Sequence, residues 1–437
     1  MSNETSREIC LYIEPYAHVN IKKNDILLYN TLNGEQLVYR NRRDIAKLLE
    51  RMISKKNLNA FIKNIDILED EGVAAFLKES RHIGAINWYD YFKENKNHKK
   101  PVSIPALLNL HRDRKKMILD PERSLGEDIK KYLHKINIYI NCYKRSDHGG
   151  PLFIGGYKQF LFPYSPGKHI ELKVHRIQKL LDQIKGAGTF LITILGGNIF
   201  EYGEIDDLIG CLDELPVKKE LGVFYRDINE DRLRSIDWKK SKEMSLRVFV
   251  EPQFRHKELV TCVELMERFK IDANYQFVVE SERDVERLDE IIDFPDGGKF
   301  SIKPFYNGNN YRFFKQNVFI ETSDLSDPPV KNTDIYARSV MNSNHFGEIT
   351  ILGNGDIYSN INERRIGTID QEIQEVLLKE LREGKGWFRV RRDQMPCKGC
   401  VYNQICPPIS NYEYALSRND LCMIHPGNVS TGVIDGR

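Results

Sequence analysis

The stretch "IELKVHRIQKLLDQIKGAGTFLITILGGN", residues 170–198, decides how this chain folds. Its first part reads as a helix that ends in glycine. Its second part, "TFLITILGG", is a short apolar run of the kind that forms a buried strand. Working outward, the same alternation repeats. "KINIYIN" precedes it as a strand, and "EIDDLIGCLDEL" follows as a helix. Then come "ELGVFYRDI" with "NEDRLRSIDWKK", a helix opened by Asn229, and "SLRVFVEP" with "KELVTCVELMERFKID". "NYQFVVES" with "ERDVERLDEIIDF" and a last strand, "KFSIKPFY", complete the series. Strands alternating with helices at this spacing imply right-handed crossovers and a parallel sheet. Six units fall short of a full eightfold barrel, so a partial barrel or an open doubly wound sheet remains.

On the N-terminal side, "HVNIKK", "DILLYN" and "EQLVYR" read as short strands with a hairpin turn at "TLNG". "RRDIAKLLERMIS" and "DILEDEGVAAFLKES" read as helices. A small winged-helix-like α+β module over residues 1–92 is expected. Residues 93–130 are basic, polar and proline-interrupted, which is linker composition, with an apolar patch at "IPALLNL". The β/α array then occupies 131–330. After residue 340 "FGEITILGNGDIYSN" reads as a hairpin turning at "GNGD" and "DQEIQEVLLKELREGK" as a helix, in a C-terminal module over 331–437 that ends in a tail.

Composition bounds the function. The 437 residues carry a net charge of +2, with 41% apolar and 29% charged residues. Near-neutral charge gives no electrostatic reason for a nucleic-acid partner. The apolar runs are too short to span a bilayer, and "MSNETSREIC" has no apolar h-region. A soluble, cytoplasmic protein is expected, whose cysteines are thiols or metal ligands. No GxGxxG follows a strand, "SPGKH" is not a complete P-loop, and HExxH and GxSxG are missing. His148, His169 and His175 stand without companions at ligand spacing and read as structural or solvated.

Half of the eight cysteines fall in "QMPCKGCVYNQICPPISNYEYALSRNDLC", residues 394–422. Cys397, Cys400, Cys406 and Cys422 supply a CxxC turn and two further thiols, enough for a closed tetrahedral site. By ligand type, Zn²⁺ and a [4Fe–4S] cluster suit them equally. The chain between Cys406 and Cys422 is short and polar, so a metal is expected to hold it in place.

Six β/α units followed by a cysteine-rich module resemble the radical S-adenosylmethionine (SAM) enzymes with a SPASM extension, maturases of ribosomally made peptides. In that family the loop after the first strand carries CxxxCxxC. Here Cys142 stands at the first position, Ser146 at the second and Gly149 at the third. The family's Gly-Gly-Glu after the second strand is matched by Gly196, Gly197 and Asn198. In the SPASM pattern Gly355 is matched, but His345, Asn360 and Ser410 stand where cysteines would. Cys397, Cys400, Cys406 and Cys422 match the other auxiliary site in full, which favours [4Fe–4S] with Zn²⁺ as the alternative. The N-terminal module resembles the peptide-recognition elements fused to such maturases, which add a peptide as a strand at a sheet edge beside a helix. Ile26, Leu27, Leu28, Tyr29, Gln36, Leu37, Val38 and Tyr39 are the expected peptide-binding residues. The whole is similar to pseudo-radical-SAM proteins of Bacteroidales peptide-modification systems. The resemblance implies a partial (β/α)6 barrel with no functional SAM site. It also implies a non-catalytic partner of an active radical SAM/SPASM maturase, in a heterodimer, that binds the precursor peptide. Alternatives are an electron-transfer subunit using an iron–sulfur cluster, or an enzyme of divergent chemistry carried by the four-thiolate site or by the residual loop "RSDHGGPLFIGGY" in the former barrel site.

Overall fold

The structure, a computed structural model, describes residues 8–91, 129–142, 151–163, 170–234, 236, 238, 243–289 and 299–424. Most of the expected linker, the C-terminal tail, Ser146 and Gly149 lie outside the described residues.

The β/α array folds as its alternation requires. Six strands, β7 (Lys135–Tyr139), β8 (Leu191–Leu195), β9 (Lys218–Phe224), β10 (Met244–Val250), β11 (Ala273–Val279) and β12 (Lys299–Pro304), lie side by side in chain order and pair in parallel. Helices α4 (Val174–Gln183), α5 (Ile205–Asp213) and α7 (His256–Phe269) cover the outer face. Side chains alternate along each strand. Ile136, Ile138, Ile192, Ile194, Leu221, Val223, Leu246 and Val248 therefore point outward into the helix-covered core. The short helix α6 (Glu230–Arg234) opens as expected, with the Arg232 amide donating to Asn229 Oδ1 at 3.0 Å.

The C-terminal hairpin does more than the sequence announces. β13 (Glu348–Ile351) and β14 (Asp356–Tyr358) form the expected antiparallel pair, with Gly355 at φ 87° in the turn. β13 also pairs in parallel with β7, and β15 (Gly367–Thr368) follows β14. One nine-stranded sheet thus crosses the boundary placed at residue 330, in the order β12-β11-β10-β9-β8-β7-β13-β14-β15.

The N-terminal module departs from a simple winged helix. β2 (Ala17–Lys22), β3 (Asp25–Asn30) and β4 (Gln36–Tyr39) make the expected antiparallel sheet. A second sheet was not legible: β1 (Glu8–Ile13) lies between β5 (Ala60–Asn64) and β6 (Ile86–Asp90). Helices α1 (Arg43–Met52) and α2 (Glu71–His82) pack on both sheets through Ile45, Leu49, Phe76 and Leu77. Asp70 caps α2, accepting from the Gly72 and Val73 amides at 3.0 and 3.1 Å.

Strand β3 is buried on both faces. Ile26 and Leu28 enter the core of the N-terminal module. Leu27 and Tyr29 enter a different cluster with Leu325, Val330, Val401, Tyr402, Ile405 and Cys406. The Tyr29 hydroxyl donates to Leu325 O and accepts from the Val330 amide, both at 2.7 Å. Asn20 Nδ2 donates to Val401 O at 2.6 Å. The N-terminal sheet is therefore seated on the cysteine segment.

Candidate functional site

The four cysteines of 397–422 converge through backbone turns. Cys397 opens a 3₁₀ turn that returns the Cys400 amide to Cys397 O at 2.9 Å. Cys406 lies behind it, buried. Cys422 is brought back by a bridge to Ile320, in which the Met423 amide donates to Ile320 O at 2.9 Å. Burial pushes the Cys397 thiol up to about 11, against the lowering pull of Arg391. Burial also raises Cys400 and, most strongly, Cys406, and the neighbouring cysteines add to it. The sulfurs meet cationic and N–H donors. The Tyr402 amide donates to Cys400, the Ile424 amide to Cys422 at 3.2 Å, and Arg391 Nη1 lies 3.9 Å from Cys397. Arg40 and Lys22, from the N-terminal module, lower the Cys400 pKa.

Among the described residues no three His, Cys, Asp or Glu side chains stand at metal-ligand spacing. The cysteines are close enough to shift one another's ionisation, yet their sulfurs are not drawn together. The donor set nevertheless fits a thiolate-bound centre. All four ligands are soft, two accept backbone amides, and Arg391, Arg40 and Lys22 lie close enough to favour the thiolate form.

Beneath the cysteines lies an ion pair that sequence reading missed. Arg391 and Glu413 meet at 2.6 Å, with side chains 5% and 0% exposed. The Arg391 guanidinium also donates to the carbonyls of Pro407, Pro408 and Asn419. Glu413 closes a capping box on the short helix Asn411–Ala415, accepting from the Ser410 amide at 2.8 Å. Tyr412, Leu416 and Leu421 pack on Phe314 and Phe319. The segment between Cys406 and Cys422 thus has apolar and ionic anchors of its own. This corrects the expectation that a metal alone would hold it.

Among the described residues, the chain's own side chains occupy the C-terminal end of the parallel strands. Each of the six parallel strands contributes one side chain within one residue of its C-terminal end: Tyr139, Leu195, Phe224, Phe249, Val278 and Phe305. Leu152 and Phe162, from helix α3 (Pro151–Gln159) and the turn after it, fill the space among them. The Phe162 ring meets those of Phe224 and Phe249 edge-on at 5.2 and 5.7 Å and is 0% exposed. Tyr139 Oη donates to Phe162 O at 3.1 Å. Gln159 clamps the far edge, exchanging hydrogen bonds with the backbone of Tyr306 at 2.8 and 2.9 Å. The described part of the residual loop, from Pro151 onward, is therefore a helix that leads into a plug.

The residues Gly196, Gly197 and Asn198, after β8, are engaged locally. Asn141, directly before Cys142, accepts from the Gly197 amide at 2.9 Å and donates to Asn198 O at 3.0 Å. A Cβ at Gly196 would stand 2.1 Å from Asn141 Oδ1, so glycine is required there. Asn198 caps a 3₁₀ turn, accepting from the Phe200 amide and donating to Glu201 Oε1, both at 3.1 Å. Both ends of its amide are engaged.

His345, Asn360 and Ser410, far apart in sequence, line one cavity of about 320 Å³. Asn360 Nδ2 donates to Asn411 Oδ1 at 2.7 Å, and Ser410 Oγ donates to Glu413 at 2.6 Å. His345 Nε2 is sealed from solvent and unpartnered.

The eight expected peptide-binding residues separate into two groups. Ile26, Leu27, Leu28 and Tyr29 are fully buried, and β3 is paired along both edges, so it cannot take an added strand. Gln36, Leu37, Val38 and Tyr39 form β4, an edge strand with half-buried side chains. Tyr39 joins β4 to α2, its ring 5.4 Å from that of Phe76 and its hydroxyl on Glu79.

No protein-family model and no curated protein matches this chain. Among solved structures it is similar to SuiB of Streptococcus suis bound to the precursor peptide SuiA, at 14% identity and a TM-score of 0.39, over 94% of this chain and 98% of that one. It is also similar to anSMEcpe with bound AdoMet and Cp18Cys peptide, at 11% identity and a TM-score of 0.45, over 65% of this chain and 95% of that one. BtrN in complex with AdoMet and 2-DOIA is similar at 11% identity and a TM-score of 0.30, over 61% of this chain and 92% of that one.

Proposed function

We propose that this chain is a non-catalytic relative of the radical SAM/SPASM maturases, which binds a precursor peptide on behalf of an active maturase. One observation carries the non-catalytic part. The interior at the C-terminal strand ends, where ligands of parallel β/α folds bind, is filled by Phe162 and its ring of aromatic neighbours. The broken motif supports it: Cys142 has no cysteine at Ser146 or Gly149, and Asn198 is spent on a cap. The convergence of His345, Asn360 and Ser410 on one cavity supports a SPASM-like origin in which one auxiliary ligand set has been replaced.

Cys397, Cys400, Cys406 and Cys422 would hold a [4Fe–4S] cluster, or Zn²⁺ in its place. When bound, either centre cross-links the cysteine turns and supplies no open coordination position. The chain's own residues do the rest. Arg391, paired with Glu413, also faces the Cys397 sulfur, and Leu27, Tyr29 and Asn20 seat the N-terminal sheet on the cysteine turns. That seat leaves the outer edge of β4, beside α2, as the place for a peptide strand.

The test uses the full-length protein and leader peptides encoded beside it. Fluorescence anisotropy should give a Kd of about 10⁻⁵ to 10⁻⁸ M, and hydrogen exchange should show new protection at residues 36–39. Absence of binding to every such peptide, or protection gained only away from β4, would overturn the peptide assignment.

A further inference from the structure

The cavity shared by His345, Asn360 and Ser410 lies where the two edges of the curled parallel array approach each other. Lys303 reaches it from β12, and Glu348 and Thr350 reach it from β13. Among the described residues the Lys303 ammonium makes no ion pair or hydrogen bond. It is half-buried, and burial and then the nearby Arg247 lower its pKa, the mark of a cation lacking an anion. Arg247 itself is neutralised by Glu220. His345 Nε2 and Ser359 Oγ are sealed and unpartnered as well. Burial, and secondarily Lys135, lowers His345 to about 4, so at neutral pH it is an uncharged imidazole able to donate one N–H. Buried polar groups without partners cost free energy that a ligand can recover.

The rest of the lining sets the ligand's other properties. Tyr139, Phe160, Leu161 and Tyr412 present aromatic and aliphatic surface. Glu348 is already bonded by Asn137 Nδ2 at 2.7 Å, and its carboxyl is pushed up by burial. A dianion such as phosphate would place a second negative charge beside Glu348 with one free ammonium to meet it. A monoanion matches the single cation. The volume, about 320 Å³, lies at the small end of the range for small-molecule sites.

We propose that this cavity binds a small monocarboxylate with an apolar body, its carboxylate on Lys303 and His345 and its body against Tyr139, Phe160 and Tyr412. The source is either a free small acid or the C-terminal carboxylate of a peptide.

The experiment titrates the full-length protein by calorimetry with N-acetylphenylalanine and with its neutral amide. The acid should bind at least about tenfold more tightly than the amide. Lys303→Met should abolish that preference. Asn360→Leu, which fills the cavity without touching the cation, should weaken the acid by about tenfold. Competition by a blocked peptide with a free C-terminus would identify the peptide source; its failure would leave the free acid. Equal binding of acid and amide, no binding of the acid, or binding unchanged in both variants would overturn the site.

Discussion

Arg391→Met isolates the device that holds the cysteine segment in place. Arg391 is 5% exposed, and the substitution leaves Glu413, 0% exposed, without its counter-ion. It also removes donors from Pro407 O, Pro408 O and Asn419 O. Removing one partner of a buried ion pair costs about 3–5 kcal/mol, because the other charge stays buried and uncompensated. At about 1.4 kcal/mol per factor of ten, that is a loss of between about a hundredfold and several thousandfold in protection against local opening. The assay is hydrogen exchange of the full-length protein. The amides of Arg418, bonded to Glu413 O, and Met423, bonded to Ile320 O, should lose protection by that factor. The amides of β8 and β9, which lie in a separate core, should keep theirs. Arg391→Met/Glu413→Leu should recover part of the loss, since no charge is then stranded. Unchanged protection at Arg418 and Met423, or an equal loss in β8, would refute the claim that this pair anchors the segment.

Other perturbations have equally defined outcomes. Tyr29→Phe leaves the Val330 amide and Leu325 carbonyl unpaired and should cost about 1–3 kcal/mol, read as lower protection in residues 325–330. Gly34→Ala would set a Cβ 2.0 Å from Ser326 O at a φ of 77°, so it should lower the melting temperature and loosen the N-terminal sheet from its seat. Phe162→Ala should destabilise the barrel by about 3–5 kcal/mol in denaturant unfolding and still not confer SAM binding. Burial holds His18 and His345 down to about 4, so their stabilising effect is present above the unfolded pKa and lost as pH falls from about 6.5 towards 4. The stability of wild type relative to His18→Gln/His345→Gln should therefore fall across that window; a difference that stays flat would show the imidazoles are not buried neutral.

Legibility from sequence followed the physics of each element. The β/α array was readable because its outward strand residues are apolar without interruption and each helix follows at crossover length. Strands β1, β5 and β6 were not, because "EICLYI", "AFIKN" and "INWYD" pair across long separations and carry no turn signal between them. The plug was hidden for another reason. "PLFIGGYKQFLF" is apolar whether it lines a cofactor cavity or fills one, and only the ring formed by Tyr139, Leu195, Phe224, Phe249, Val278 and Phe305 distinguishes the two. The family pattern marked His345, Asn360 and Ser410 as positions where cysteines would stand, and only the structure places the three on one cavity. Nothing in sequence marked Arg391 and Glu413, since an Arg and a Glu twenty-two positions apart are ordinary until both are buried. Strand character was clear for both β3 and β4, but the pairing of β3 with β2 on one side and β4 on the other is what leaves only β4 at an edge.

The central claim is that the barrel is closed to SAM chemistry, and one measurement meets it directly. Full-length protein, purified without oxygen and reconstituted with iron and sulfide, is reduced and incubated with SAM, and 5′-deoxyadenosine is quantified beside a boiled control and Cys142→Ala. No product above the boiled control is expected, with identical traces for wild type and Cys142→Ala. Product that requires Cys142 would contradict it.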